Sequence, residues 1–554
     1  MQEHLHPAAI PTVLVALFFV ILLAGPAAQL SACTSLIVTK GASADGSVML
    51  TYTCDGEFHP HLERAPAADH EPGDSIEIED WHGNVRGKIP QVQHTYAILN
   101  LINEHQLVIG ETTFVGREEL VNPDAVLGYW DLIWLALSRA QTAREAVEVI
   151  TALVAEHGYR SEGETFSIAD PEEAWILEMV GPGEGGSGAH WVALRIPDGY
   201  ICAHANKARI GEFPLDDPDN CMYSEHVIDF AVERGYYDPA SGEPFLFNEA
   251  YCPSAPGNRK FCSTRVWSIF RRAAPSVEFP PDYHRFVEGA GPYPLWIKPD
   301  GKLALADVFS LMRDHYEGTE YDLTAGVDAG CFGSPYRWRP LTFEVDSVEY
   351  AWERQISTQQ TGFSIVSQSR SWLPDGVGGV LWYGVDDTYF TCYTPLYCCM
   401  DTLPRSYTTG SIEEFSWDSA WWVFNLVSNY ANLKYSYMIK DIQAVQGHHE
   451  GTAVALQPAV EETALDLYRE DPGLMKRYLT DYSVSRAEMV VTEWRDLCGH
   501  LITKYNDGYV KDEAGEPQDA GYPEHWLRTV IEPRPDHFDL KKNFDEPPEP
   551  GLVD

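Results

Sequence analysis

The 554-residue sequence lacks the patterns that mark a metal enzyme or a nucleic-acid-binding protein. It contains no Cys-x-x-Cys pair and no His-Glu-x-x-His string, so a zinc site has little support and no metal or cofactor is expected. Lys and Arg number only 39 against 83 Asp and Glu, which gives a formal net charge of −44. A polyanion of this size repels nucleic acid and anionic membrane surfaces, so both are excluded as partners.

The apolar run near the N-terminus is short for a membrane span. It covers residues 13–25, whereas a spanning helix takes about 20 apolar residues. The run and the small residues that follow it suit a signal peptide, although residues 1–12 contain no Lys or Arg. We therefore expect residues 1–32 to be a signal peptide or propeptide, and the protein to be periplasmic or extracellular. The alternative is an uncleaved anchor.

Cys33 stands where this segment ends. If cleavage occurs just before it, the mature chain begins with a thiol and a free α-amine on one residue. The thiol is a nucleophile, and the amine, with an unperturbed pKa of about 7.7–8.0, is a local base. The string Leu-Ser-Ala-Cys over residues 30–33 also matches a lipoprotein box, in which acylation would block both groups. Membrane attachment is expected only in that case.

Eleven cysteines are present. If Cys33 is the nucleophile, the other ten are available for disulfides in an oxidising compartment, and their pairing cannot be read from the sequence.

Hydrophobic periodicity predicts a layered protein of mixed helices and strands. Segments 34–38 and 47–53 are β-rich and flank Asp45-Gly46, which predicts a hairpin with Cys33 at an exposed strand tip. Residues 131–139 and 143–157 have helical spacing, with Thr142 as a candidate N-cap. Further strands are predicted at 96–102, 106–110, 165–169, 174–180, 190–196 and 200–204, and further helices at 416–436 and 460–483, the latter broken at 471–472. Strands, two helices and again strands favour α+β over alternating βαβ units.

A series of short strings resembles, in the same order, those of the C69 dipeptidases, a family of N-terminal-nucleophile hydrolases. The first is Cys33-Thr34-Ser35 with residues 40–47. The others are 103–105, 110–120, 161–171, 196–200, 204–210, 263–267, 313–318, 392–397 and 421–425. One such string is weak evidence, but the ordered set spans nearly the whole mature chain.

The resemblance implies a four-layer αββα sandwich that hydrolyses short peptides, chiefly dipeptides, without a metal. Trp and Tyr become frequent from Phe343 onward, so we expect the hydrolase core over residues 33–342 and a helix- and aromatic-rich C-terminal part over 343–532 that packs on the core. Residues 533–554 are predicted to be an acidic, Pro-rich tail. One alternative is an amidase of the same fold acting on N-acyl substrates, as in the related penicillin V acylases. Another is a lipid-anchored binding protein without activity. Oligomerisation is left open.

The resemblance also suggests roles for four residues. Cys33 attacks the scissile carbonyl. Asp55 resembles the aspartate that holds the α-ammonium group, and the structural alternative is an ordinary turn carboxylate. Asn206 resembles the asparagine that faces the developing oxyanion, and the alternative is a strand-end cap. Arg265 resembles an arginine beside the nucleophile that favours the thiolate, and the alternative is a surface ion pair.

Two positions depart from the related acylases. Tyr52 stands where the acylases have an arginine, so thiolate stabilisation would depend more on Arg265 and the α-ammonium group. Thr112 stands where they have an asparagine, so a hydroxyl or a backbone N–H would supply the second oxyanion contact. Both residues are predicted to contact substrate. His204 is expected to be structural, because the N-terminal amine already provides a base.

Overall fold

The computed structural model describes residues 33–541. The predicted signal peptide and its cleavage point lie outside these residues, as does the tail from residue 542 onward. Among residues 33–541, no helix combines the length and apolarity needed to cross a membrane.

The described chain combines helices with antiparallel sheets, which confirms the α+β class. The strands are β1 (Ser35–Val38), β2 (Met49–Asp55), β3 (Arg64–Ala65), β4 (Ala68–Asp69), β5 (Ser75–Glu79), β6 (Val85–Pro90), β7 (His94–Thr95), β8 (Ile98–Leu99), β9 (Ile102–Asn103), β10 (Val108–Phe114), β11 (Gly163–Ala169), β12 (Ala174–Val180), β13 (His190–Arg195), β14 (Ile201–His204), β15 (Cys221–Tyr223), β16 (Trp296–Ile297), β17 (Thr342–Val345), β18 (Val348–Ala351), β19 (Thr361–Gln368), β20 (Val380–Val385), β21 (Thr394–Tyr397), β22 (Val510–Lys511) and β23 (Pro517–Gln518). The helices are α1 (Tyr129–Arg139), α2 (Ala143–His157), α3 (Val227–Glu233), α4 (Phe247–Tyr251), α5 (Pro256–Asn258), α6 (Thr264–Ala273), α7 (Leu305–Met312), α8 (Asp375–Gly378), α9 (Ala420–Ala431), α10 (Tyr435–Glu470), α11 (Pro472–Lys504), α12 (Glu524–Ile531) and α13 (Pro535–Phe538).

Two large antiparallel sheets organise residues 33–541. The first has seven strands in the order β16-β14-β1-β2-β19-β20-β21, and the second has eight in the order β15-β13-β12-β11-β10-β9-β8-β3. In the first sheet β1 lies between β14 and β2, with Ile37 opposite Cys202 on one side and Leu50 on the other. The strand that follows Cys33 is therefore central in its sheet.

The two sheets meet where β2 faces β10. A Cβ atom on Gly110 would lie 3.0 Å from Cδ2 of Leu50 and 3.1 Å from Cβ of Tyr52, which is tighter than ordinary packing. Glycine at this position therefore lets the backbone of β10 approach β2 closely. This approach brings the residue after Gly110 toward the start of β1.

The hydrophobic core fills both faces of the first sheet. Alternate residues of β1 belong to different clusters: Ile37 packs with the second sheet, whereas Leu36 and Val38 pack with α6, α7 and parts of α10 and α11. On the second sheet, α1 contacts β10, and α2 contacts β11 and β12. A strand that is buried on both faces has apolar residues at consecutive positions, as Leu36-Ile37-Val38 does.

The local signals for helix ends are confirmed. The Thr142 hydroxyl accepts a hydrogen bond from the backbone N–H of Glu145 at 3.2 Å, and the Glu145 carboxylate accepts from the N–H of Thr142, which forms a capping box at the start of α2. The predicted break at Asp471-Pro472 separates α10 from α11, and Asp471 caps α11. Both helices are longer than predicted, with 36 and 33 residues.

The structure bears on the disulfides and on the domain boundary expected from the sequence. All eleven cysteines lie within the described residues and all are free thiols, so the disulfides expected for an oxidising compartment are not formed. The domain boundary at 342/343 stays a prediction. Strands β19 to β21 follow that boundary in the chain and lie in the same sheet as β1.

Candidate active site

Cys33 directly precedes β1, and the strand register determines its neighbours. An isolated bridge pairs Thr34 with Thr53, so Cys33 lies opposite Cys54 on β2. The N–H of Thr34 donates to the Thr53 hydroxyl at 2.9 Å, and the N–H of Thr53 donates to the Thr34 carbonyl at 3.0 Å. In an antiparallel ladder, residue pairs next to a hydrogen-bonded pair have closer Cα atoms. Cys33 and Cys54 are next to the hydrogen-bonded pair of Thr34 and Thr53, so their side chains come near each other. The side chain predicted to be at an exposed strand tip is 3% exposed.

The Cys33 thiol contacts two polar side chains. Its sulfur lies 3.8 Å from the Tyr52 hydroxyl and 3.7 Å from Oε1 of Glu111. The hydrogen bond with Cys54, burial and the charge of Glu111, in that order, raise the pKa of the Cys33 thiol well above its ordinary value. The thiol is therefore protonated in this arrangement, and an attack on a carbonyl needs a base.

Glu111 is paired with a second buried carboxyl group, that of Glu164. Glu111 lies opposite Phe166 and Thr113 lies opposite Glu164, so the two glutamates are diagonal neighbours on one face of the second sheet. The Tyr52 hydroxyl donates to Oε1 of Glu111 at 2.5 Å, and the Thr113 hydroxyl donates to Oε2 of Glu164 at 3.0 Å. Burial raises the pKa of both carboxyls, and Glu111 raises that of Glu164 further.

Arg265 binds the backbone of the cysteine and leaves its sulfur to other groups. Its guanidinium donates to the Cys33 carbonyl at 2.6 Å, to the Thr34 hydroxyl at 2.8 Å and to Oδ1 of Asn206 at 2.9 Å. The side chain is completely buried, and a π-helical turn at Arg259–Ser263 leads into the helix that carries it. Arg265 thus fixes the position of Cys33 relative to Asn206.

Asn206 lies at the end of β14 in a left-handed backbone conformation, with φ of 54°. Its side-chain amide donates to the Thr113 carbonyl at 2.6 Å, while its oxygen accepts from Arg265. Asparagine tolerates this conformation better than most residues, and such conformations often occur at functional sites. The predicted oxyanion residue therefore lies next to Arg265, with both ends of its amide engaged.

Asp55 is held by an arginine that the sequence analysis missed. Its Oδ2 lies 2.5 Å from Nη2 of Arg354, and its Oδ1 accepts from the Thr361 hydroxyl at 2.6 Å. Both charged side chains are almost fully buried. Asp55 is also close enough to contribute to the raised pKa of Cys33. The predicted partner of Asp55, the α-ammonium group, depends on processing before Cys33.

Of the two residues predicted to contact substrate, Tyr52 touches the thiol and Thr112 does not. Thr112 is on the opposite sheet face from Glu111, and its hydroxyl lies 2.7 Å from Nδ1 of His204. The other ring nitrogen of His204 lies 2.6 Å from the Ser167 hydroxyl, and burial lowers the pKa of His204 to about 3. His204 is thus a neutral core residue whose two ring nitrogens both form hydrogen bonds. This agrees with the structural role expected from the sequence.

A cavity of about 310 Å³ lies at the start of α1. It is lined in part by Trp81, at the tip of the β5–β6 hairpin, and by Tyr129 and Trp130 at the start of α1. Burial and the charge of Glu111 raise the pKa of Tyr129 well above its ordinary value, so this lining residue is within electrostatic range of the centre, although Cys33, Glu111 and Glu164 do not line the cavity. A larger cavity of about 820 Å³, lined by residues of α6, α7 and α10, includes none of the residues described above.

Comparison with known proteins gives a consistent result. The model of peptidase family C69 matches residues 74–448, more than half of the chain. A probable dipeptidase of Salmonella dublin is 28% identical over 388 residues, which cover 66% of this chain and 81% of the relative. A probable dipeptidase of Latilactobacillus sakei is 27% identical over 71% of this chain and 80% of its own length. Probable dipeptidase A of Streptococcus pyogenes serotype M3 (strain SSI-1) is 24% identical over 85% of this chain and 98% of its own length.

Proposed function

This chain belongs to peptidase family C69, and we propose that it is a cysteine-type dipeptidase whose nucleophile is the thiol of Cys33. Removal of residues 1–32 would make Cys33 the first residue. The observation that carries the proposal is that the thiol and the backbone carbonyl of Cys33 are both held by polar side chains. The Cys33 thiol lies against Tyr52 and Glu111, while Arg265 binds the Cys33 carbonyl. The names of the relatives support dipeptides as the substrate class.

In the proposed reaction the Cys33 sulfur attacks the scissile carbonyl carbon. The thiol proton passes to the α-amine of Cys33, directly or through a water, and then to the nitrogen of the leaving amino acid. The peptide C–N bond breaks, and the first residue of the substrate stays on Cys33 as a thioester. Water then hydrolyses the thioester and restores the thiol. Because its neighbours raise the pKa of the thiol, the amine has to remove the proton as the new bond forms.

The surrounding residues have supporting roles in this proposal. The Asn206 amide, held by Arg265 and by the Thr113 carbonyl, stabilises the negative charge on the carbonyl oxygen of the tetrahedral intermediate. The Asp55 carboxylate, fixed by Arg354, stabilises the positive charge that the α-amine acquires. Both charges develop during the reaction. Interactions with them are therefore stronger in the transition state than in the bound substrate, and they lower the activation barrier.

The proposal includes the fold family and the compartment. Contact between β2 and β10, with helices against the outer faces of both sheets, supports the αββα sandwich of N-terminal-nucleophile hydrolases. Export to the periplasm or extracellular space is supported by the apolar run 13–25 and the small residues that precede Cys33.

The test is hydrolysis of dipeptides by protein whose N-terminus has been determined by intact-mass analysis. Protein that begins with unmodified Cys33 should release both amino acids from a dipeptide such as Ala-Ala, and Cys33→Ala should abolish release. Cys54→Ala is the matched control, because it removes the neighbouring thiol and leaves the nucleophile. Activity that survives Cys33→Ala would contradict the proposal. A diacylglyceryl, N-acylated Cys33 would also contradict it and would favour an anchored binding protein. Hydrolysis of N-acyl amino acids without hydrolysis of dipeptides would indicate the amidase.

A further inference from the structure

The Glu111–Glu164 pair has no cationic partner among residues 33–541. Neither carboxyl forms an ion pair, although Glu111 is 1% exposed and Glu164 is fully buried. One oxygen of each, Oε2 of Glu111 and Oε1 of Glu164, accepts no hydrogen bond from any other described side chain or backbone group. Buried carboxylates are normally paired with a cation or fully hydrogen-bonded. The pair therefore has capacity for a positively charged group from outside.

One negative charge remains on the pair, and its location can be assigned. The two carboxyls are diagonal neighbours, and both are buried, so like-charge repulsion and burial favour a proton on one of them. Tyr52 and Cys33 both donate to Glu111 and so favour its charged form. The Tyr52 and Cys33 hydrogen bonds lower the pKa of Glu111, whereas Glu111 raises that of Glu164. The proton therefore resides on Glu164 and the negative charge on Glu111.

The distance from this charge to the nucleophile allows one substrate to contact both groups at the same time. In a dipeptide the α-nitrogen is separated from the scissile carbonyl carbon by one atom, about 2.5 Å in space. A charge-assisted N–H···O bond adds about 2.8 Å, and sulfur approaches a carbonyl carbon to about 3–3.5 Å before attack. These three links can bridge the 3.7 Å between Glu111 Oε1 and the Cys33 sulfur.

From this juxtaposition we propose that Glu111, supported by the protonated Glu164, binds the α-ammonium group of the substrate. The inference rests on the proposed dipeptidase function and explains how the site recognises a free N-terminus near the scissile bond. The ammonium group supplies the missing positive charge. An N-acyl substrate has no positive charge for Glu111, so the same pair disfavours the amidase substrates.

The test compares Ala-Ala with propionyl-Ala, which differs from it only by the missing ammonium group. Wild-type protein should have the higher kcat/KM for Ala-Ala. Glu111→Gln should lower kcat/KM for Ala-Ala about 10- to 100-fold, the range for a hydrogen bond to a charged group, and leave that for propionyl-Ala nearly unchanged. Glu111→Asp keeps the charge and should retain part of the preference. Glu178→Gln is the matched control, because Glu178 is a buried carboxyl on the neighbouring strand that accepts from the backbone N–H groups of Arg209 and Ile210. The ratio between the two substrates should not change in this control.

Equal losses for both substrates in Glu111→Gln would overturn the inference, because Glu111 would then act on the nucleophile or its amine.

A measurement on the wild-type protein covers the case in which the variant does not fold. The probes are 2-aminopropan-1-ol and propan-1-ol, which differ by one ammonium group. The amine, at a concentration where the alcohol has no effect, should slow alkylation of Cys33 by iodoacetamide. Equal protection by the two probes would also overturn the inference. If the wild-type protein hydrolyses neither substrate but the amine alone protects Cys33, the proposed function fails and the ammonium site stands.

Discussion

Replacement of Arg265 by lysine tests whether this side chain positions the nucleophile. The guanidinium donates to the Cys33 carbonyl, the Thr34 hydroxyl, the Asn206 amide oxygen and the Phe261 carbonyl at 2.6–2.9 Å. A weaker bond reaches the Ala205 carbonyl at 3.5 Å. A lysine keeps the charge but has only three donors around one nitrogen. Arg265→Lys therefore leaves at least two buried acceptors without a charged donor.

The expected effects are large. Hydrogen bonds to charged groups contribute about 1.5–3 kcal/mol each, so two lost bonds lower the free energy of unfolding by about 3–6 kcal/mol. Loss of the contact with the Cys33 carbonyl also frees the nucleophile, and a displacement of about 1 Å at a reacting centre costs about 10²-fold in rate. We expect kcat/KM for a dipeptide to fall by at least this factor.

The assay combines denaturant unfolding with dipeptide kinetics at a temperature where the variant remains folded. Arg271→Lys is the control, because Arg271 is on the same helix and, among residues 33–541, its guanidinium interacts with Ser268, Asp314 and the Trp267 ring, away from Cys33. It should retain wild-type kinetics. The positioning role would be refuted if Arg265→Lys kept kcat/KM within about threefold of wild type, a difference of less than 1 kcal/mol.

Three further predictions concern buried groups. Asp55→Asn leaves the Arg354 charge buried without its carboxylate, so it should lower the free energy of unfolding by about 3–5 kcal/mol in denaturant titrations. Glu178 has a pKa raised by burial from 4.5 to about 7. The folded state therefore binds more protons than the unfolded state between these values, and stability falls by about 3 kcal/mol as pH rises from 4.5 to 7. Glu178→Gln should reduce the loss of stability across this pH range by about this amount, while other buried carboxyls keep their own contributions. Oxidised glutathione should convert the opposed thiols of Cys33 and Cys54 to a disulfide and inactivate the protein: the glutathione S–S bond breaks, and two molecules of reduced glutathione take up the two electrons and two protons. Mass spectrometry should show a loss of two hydrogens, and dithiothreitol should restore activity.

Each of these predictions has a result that contradicts it. For Asp55, the reasoning fails if Asp55→Asn costs less than about 1 kcal/mol, the size of an exposed ion pair. For Glu178, an unchanged pH slope in the variant would show that another group is responsible. For the thiols, Cys54→Ser should resist reversible inactivation, and equal sensitivity of the variant would exclude the proposed disulfide.

The elements predicted correctly from the sequence are those whose signals are local. The capping box at Thr142 and Glu145 and the Asp471-Pro472 break are each contained in a few residues. The hairpin around Asp45-Gly46 also depends only on neighbouring residues. The lengths of α10 and α11 were underestimated because their faces pack against different partners, which blurs any single helical period.

The site was only partly predictable, for a different physical reason. Cys33, Asp55, Asn206 and Arg265 could be named because they occur in strings that resemble a known family. Glu111 and Glu164 also occur in such strings, but only the pairing of β10 with β11 shows that they meet. Arg354 lies outside the quoted strings and reaches Asp55 across 299 positions of sequence. Contacts of this kind depend on sheet topology, which residue type and spacing do not encode.

The order of strands in the first sheet has a consequence for how the protein is made. Strand β2, beside the nucleophile, pairs with β19, and β20 and β21 follow at the edge, so the sheet is complete only when residue 397 has been synthesised. Pairings so distant in sequence form slowly, and unpaired strand edges promote aggregation until they close. A ribosome-bound fragment that ends before residue 354 lacks both the neighbour of β2 and the arginine that holds Asp55. We therefore expect peptidase activity to emerge late in synthesis and all at once, with no active N-terminal fragment.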